Sequence, residues 1–128
     1  MNDRLELKKA SLQKIGEDVL LTQYKSGFKI SEADAKEIDG AHLTMSQGND
    51  VFIIADFTAT DVSFEKSAEA YFVKKGKMIP YTKGIAIVTN KKSSFFDKLF
   101  ATAKKTLCPT KEFDSMSAAV AWIDEIRD

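Results

Sequence analysis

Two stretches of the chain are nearly unbroken in apolar character, Val51 to Phe57 and Gly84 to Thr89, and each precedes a segment whose apolar residues recur at helical spacing. Short runs of this kind are what strands covered on both faces require, so the first is expected to be a central strand. After the polar stretch Thr58 to Asp61, Ser63 stands as an N-cap. Phe64, Ala68, Tyr71 and Phe72 then form the stripe of a helix that ends near Gly76. Beyond the second run, Asn90 to Ser94 turn into a further helix with the stripe Phe96, Leu99, Phe100 and Ala103.

Upstream, Leu5 to Ile15 alternates weakly, Gly16-Glu17-Asp18 makes a turn, and Val19 to Tyr24 continues as a second strand. The chain therefore opens on an antiparallel hairpin. Ser31 followed by Asp34 is an N-cap signature, with Ala35, Ile38, His42 and Met45 on one helical stripe and Gly48 in the left-handed terminating position. Glu32, Asp34, Glu37 and Asp39 load the first half of this helix, complement its dipole, and are expected to form an acidic face. Downstream, Pro109 stops the chain and Lys111-Glu112-Phe113 suits a short last strand. Asp114 or Ser115 caps a final helix with the stripe Ala119, Trp122, Ile123 and Ile126. The expected fold is a single α/β domain spanning residues 1–128, of order ββαβαβαβα. Right-handed crossovers make its later strands parallel, so the sheet is mixed.

Composition narrows the function. With 128 residues, nine Phe, three Tyr and one Trp, the chain can build one core without staples. Cys108 has no intramolecular partner, which fits a reducing compartment. Charges interrupt every apolar run of the N-terminus, and no stretch approaches the ~20 apolar residues of a membrane span, so the expected location is the cytoplasm. A zero net charge hides segregation: residues 74–105 carry nine Lys against Asp97 alone. That block suits an acidic partner. It holds no Arg for bidentate base recognition and the overall pI is 6.6, so nucleic acid is not an expected partner.

Chemistry-bearing residues are few. One His, one Cys, no GxGxxG and no Walker motif leave no metal cluster, cofactor site or catalytic triad legible, so no enzyme and no cofactor are expected. His42 reads as a half-buried helix residue. Asp56, at the end of the central strand, reads as an acceptor for loop amides. An enzymatic arrangement would need Asp56, Asp61 and His42 in one cleft.

Three stretches, VFIIADFTATDVSFEKSAEAYF, GIAIVTNKKSSFFDKLF and CPTKEFDSMSAAVAWI, resemble the SpoIIAA-like (STAS/SEC14-like) bacterial proteins, in particular an uncharacterised branch of small single-domain members. The resemblance implies a mixed five-stranded sheet with about four helices. In the better understood STAS antagonists of anti-sigma factors, a serine at the start of the helix after the central strand is phosphorylated. The matching position is Ser63, after Asp61-Val62. Phe64-Glu65-Lys66 departs from the expected second serine and glycine, so phosphorylation rests on position alone.

Two functional expectations follow for a non-catalytic module. The first is regulation through an unidentified protein partner, with Asp61, Ser63, Lys91, Lys92, Phe95 and Lys98 as its surface and Ser63 as a switch. Phe95 and Phe96 cannot both face inward on one helix, so the outward ring marks a partner or homodimer contact. The alternative is a carrier of a small apolar, lipid-like ligand, with Tyr71, Phe72 and Phe100 around its pocket, as the SEC14 side of the resemblance implies.

Overall fold

A hairpin followed by β-helix-β units should place antiparallel strands at one edge of a sheet and parallel strands across the rest, and the chain does so. The structure, a computed structural model, describes residues 4–58, 62–89 and 108–127. Six strands, β1 (Arg4–Glu6), β2 (Ala10–Gly16), β3 (Val19–Tyr24), β5 (Val51–Asp56), β7 (Thr82–Val88) and β8 (Thr110–Phe113), lie side by side in that order. The first two pairings are antiparallel and the last three parallel. Two short strands, β4 (Lys29–Ile30) and β6 (Ser63–Phe64), pair with each other apart from the main sheet.

Helix α1 (Glu32–Ser46) is bounded as the pattern predicts. Ser31 and Asp34 form a capping box: the serine hydroxyl accepts from the Asp34 N–H, and the Asp34 carboxylate accepts from the Ser31 N–H. Gln47 (φ 53°) and Gly48 (φ 77°) both turn left-handed and end the helix. Helix α2 (Lys66–Ala70) continues as a π-helical turn over Tyr71–Lys75 and stops at Gly76. Helix α3 (Met116–Ile126) starts on Ser115, whose hydroxyl accepts from the Ala118 N–H.

The helices form two layers. α1 and α2 follow successive strands in one direction across the sheet and so fall on one face, as right-handed crossovers demand. There Tyr24, Ile38, Phe57, Phe64, Ala68 and Ile87 pack together. On the other face α3 buries Ala119 and Ile123 against Leu21, Phe52, Ile54 and Ala86. Burying these side chains is the main source of stability.

Three expectations need adjustment, and a fourth is not reached by the described residues. The predicted opening strand is two strands, because the chain folds back after Leu7, whose N–H donates to the Ala10 carbonyl at 2.9 Å. With that extra edge strand the main sheet has six strands among the described residues. Ser63 is not an N-cap: its N–H donates to the Phe28 carbonyl in the β4–β6 pair, and α2 begins after Glu65. The predicted helix with the stripe Phe96 to Ala103 lies outside the described residues.

Candidate functional site

The α1–α2 face of the sheet does not close fully, and a cavity of about 120 Å³ lies beneath it. Its sheet wall is made by Tyr24 of β3, Ile53 and Ala55 of β5, and Ile85 and Ile87 of β7. Within each strand these residues are two apart, as side chains on one face must be. The facing wall comes from Asp39 and His42, three residues apart on α1, and from Phe72 and Val73 of the π-helical turn. Such turns are common where a helix has been reshaped around a site. Gly76, Met78 and Ile79 close one side, and Phe57 and Phe64 also line the cavity.

Asp39 holds this wall together. It is buried, and its Oδ2 accepts from the Tyr71 hydroxyl at 2.9 Å and the Lys77 N–H at 2.7 Å, while Oδ1 accepts from the Met78 N–H at 3.2 Å. Three donors to one carboxylate lock α1 to the chain that closes the cavity. Gly76 permits the close approach: a Cβ there would stand 3.2 Å from the Phe72 carbonyl and 3.3 Å from Asp39 Oδ1. Burial, with the hydrogen bond to Asp39 and its negative charge, pushes the Tyr71 phenol pKa up.

His42 is 5% exposed and its Nε2 pairs with the hydroxyl of Thr22, a fully buried β3 residue. Burial lowers its pKa to about 4 against the opposing pull of Asp39, so the ring is neutral at physiological pH. Tyr24, 7% exposed, stacks on Phe57 with ring centroids 4.5 Å apart, and burial pushes its phenol pKa upward.

Of the residues expected to border an apolar pocket, Phe72 lines this cavity, Tyr71 stands behind it on Asp39, and Phe100 lies outside the described residues. Of the expected partner surface, Ser63 is exposed, whereas Asp61, Lys91, Lys92, Phe95 and Lys98 lie outside the described residues. Asp56 is a loop acceptor as expected: its Oδ1 accepts from the N–H and hydroxyl of Thr58, and its Oδ2 from the Gln23 amide. His42 and Asp56 do not converge. Ala55 faces the cavity with His42, so Asp56, the next residue of the strand, faces the other side. Burial raises the Cys108 thiol pKa, which disfavours the reactive thiolate.

Asp39, Thr22 and Tyr24 are the site residues that sequence reasoning missed. Asp39 was assigned to an exposed acidic face, yet its spacing from Ala35 and His42 puts it on the buried stripe, and that spacing was the available signal. Thr22 and Tyr24 share an alternation phase with Leu20, but the pattern does not reveal that a histidine or a cavity meets them.

Among the described residues, no three of His, Cys, Asp and Glu gather closely enough to hold a metal ion. No helix there is long and apolar enough to cross a membrane. A second hollow, of about 230 Å³ and lined by Ile15, Val19, Val120 and Arg127 among others, lies beside α3.

A family model described as "Domain of unknown function (DUF7793)" matches residues 13–127. The solved structures include an uncharacterised protein of the DUF3478 family from Shewanella loihica PV-4, described as having a SpoIIAA-like fold. It superposes with a TM-score of 0.64 at 17% identity, covering 88% of this chain and 90% of that one. This likeness establishes the SpoIIAA-like fold that the sequence resembles. No curated protein matches the chain.

Proposed function

The chain belongs to the DUF7793 family of unknown function, and on that footing we propose that it is a non-catalytic binding module whose interior takes up a small apolar ligand. The observation that carries this reading is the cavity between α1, the π-helical turn and the sheet, walled mainly by aliphatic and aromatic side chains. Its volume of about 120 Å³ approaches the roughly 150 Å³ at which an apolar protein cavity admits benzene. The occupant is therefore a ring-sized molecule, or one end of a longer one.

Titration with benzene, followed by backbone amide NMR, tests the reading. Saturable shifts confined to β3, β5, β7, α1 and the π-helical turn are expected. Absence of any saturable shift up to the solubility limit refutes it.

A second reading, regulation by a protein partner in the cytoplasm, is supported by the exposed pair Ile15 and Val120 at the rim of the second hollow and by the exposure of Ser63. Native mass spectrometry of gently purified protein tests it. A co-purifying protein, a dimer, or a phosphate on Ser63 supports this reading, and a bare monomer counts against it.

A further inference from the structure

We propose that the cavity selects a neutral ligand carrying a hydroxyl on a ring-sized apolar body, with His42 and Tyr24 as the groups that read the hydroxyl. The proposal rests on the cavity being a binding site and adds the chemical class of what enters it.

The polar groups that the described residues bring to the lining are Tyr24, Asp39, His42, Thr82 and Thr110. Three of them are engaged. Asp39 takes three donors, the Thr82 hydroxyl donates to the Met78 carbonyl at 2.7 Å, and the Thr110 hydroxyl donates to the Cys108 carbonyl at 3.0 Å. The other two are not fully used. Among the described residues the His42 ring makes one hydrogen bond, through Nε2 to Thr22, which leaves Nδ1 open, and the Tyr24 hydroxyl makes none. Both side chains are more than nine-tenths buried, where an unused polar atom is costly. Among the described residues no side-chain polar atom fully shut off from space lacks a partner, so these two atoms border open volume. Both residues line the cavity, and the proposal takes that volume to be the cavity.

The kind of ligand follows from charge and proton placement. Among the described residues no Lys or Arg lines the cavity and Asp39 brings a negative charge to it, so from these residues a carboxylate or phosphate would meet repulsion and no counter-ion. A cation would have to be buried against a carboxylate whose oxygens already hold three donors. A neutral group fits. If Nε2 carries the imidazole proton and donates to Thr22, Nδ1 is an acceptor. If the Thr22 hydroxyl donates instead, Nδ1–H is a donor. A ligand hydroxyl satisfies either state and exchanges a second hydrogen bond with Tyr24, whose phenol also donates and accepts.

The test compares four probes of one size, benzene, phenol, benzoate and benzylamine, by NMR titration of the wild-type protein and two variants. Tyr24→Phe removes only the hydroxyl. His42→Phe combined with Thr22→Val removes the imidazole without stranding the threonine hydroxyl. In the wild type, phenol and benzene bind and the two ions do not. In each variant the ratio of phenol to benzene affinity falls by roughly 3- to 10-fold, the worth of one hydrogen bond. The chain's single histidine provides a direct reading in the unaltered protein, because phenol and not benzene should move its ring ¹⁵N resonances. Binding of benzene and phenol with an unchanged ratio in Tyr24→Phe and unmoved His42 resonances overturns the proposal and leaves the cavity reading standing. Benzoate or benzylamine binding as tightly as phenol overturns the neutral class. Failure of all four probes overturns this proposal and the binding reading together.

Discussion

Mild acidification should destabilise this protein through His42. The folded ring has a pKa of about 4 against the ordinary 6.5, because charging it would place a cation in an interior that only Asp39 opposes. The unfolded chain therefore takes up the proton first. The stabilisation from a neutral, buried His42 is fully present above pH 6.5 and is lost as the pH falls toward 4. The gap between those values is worth about 3 kcal/mol in all, of which about 2 kcal/mol is gone by pH 5. That is a large fraction of the stability of a domain this size. The chain holds one His and one Trp, so both signals are unambiguous. Trp122, against Phe113 at 5.6 Å between ring centroids, reports unfolding in urea at pH 7.5, 6 and 5, and the imidazole resonance reports the titration midpoint. The comparison protein is His42→Gln, which keeps a neutral polar group near Thr22 and should show a flat profile over this range. Hydrogen bonds to Arg4 and Lys25 lower the pKa of Glu6, so its effect falls at lower pH and is common to both proteins. A wild-type imidazole midpoint near 6.5, with pH dependence no steeper than that of His42→Gln, would refute the reasoning.

Further outcomes test the supports of the site and fold. Asp39→Asn replaces one acceptor by an amide donor facing a backbone N–H, and should cost about 2 kcal/mol with faster amide exchange at Lys77 and Met78; native protection there would remove the locking role. Ser31→Ala breaks the capping box of α1 and should lower urea stability by about 1 kcal/mol, so an unchanged midpoint would speak against it. In Gly84→Ala the new Cβ would lie 3.0 Å from both the Ile126 Cδ1 and the Phe52 ring. Overpacking of that interface of α3 with the sheet should cost about 1–2 kcal/mol, and wild-type stability would show that the interface yields freely.

How far the pattern reaches is clearest at particular residues. The fully apolar run before Asp56 is short and rich in β-branched and aromatic residues, which suits a strand covered on both faces, and β5 lies inside the sheet between β3 and β7. Ser31 with Asp34, and Ser115, placed two helix starts because capping is a local exchange among a few adjacent residues. Ser63 misled for the same reason. It is a good cap by type, but pairing of β6 with β4, more than thirty residues earlier, takes its backbone into a strand.

Local order, strand and helix types, and the family likeness thus came from the sequence by itself, because periodicity and capping act over a turn or two of chain. The cavity came only from the tertiary structure, since a void is what remains when α1, the π-helical turn and three strands fail to interdigitate. So did the roles of Asp39, His42 and Tyr24. A residue type states which hydrogen bonds a side chain can make, and only the assembled fold states which have been made and which are still open.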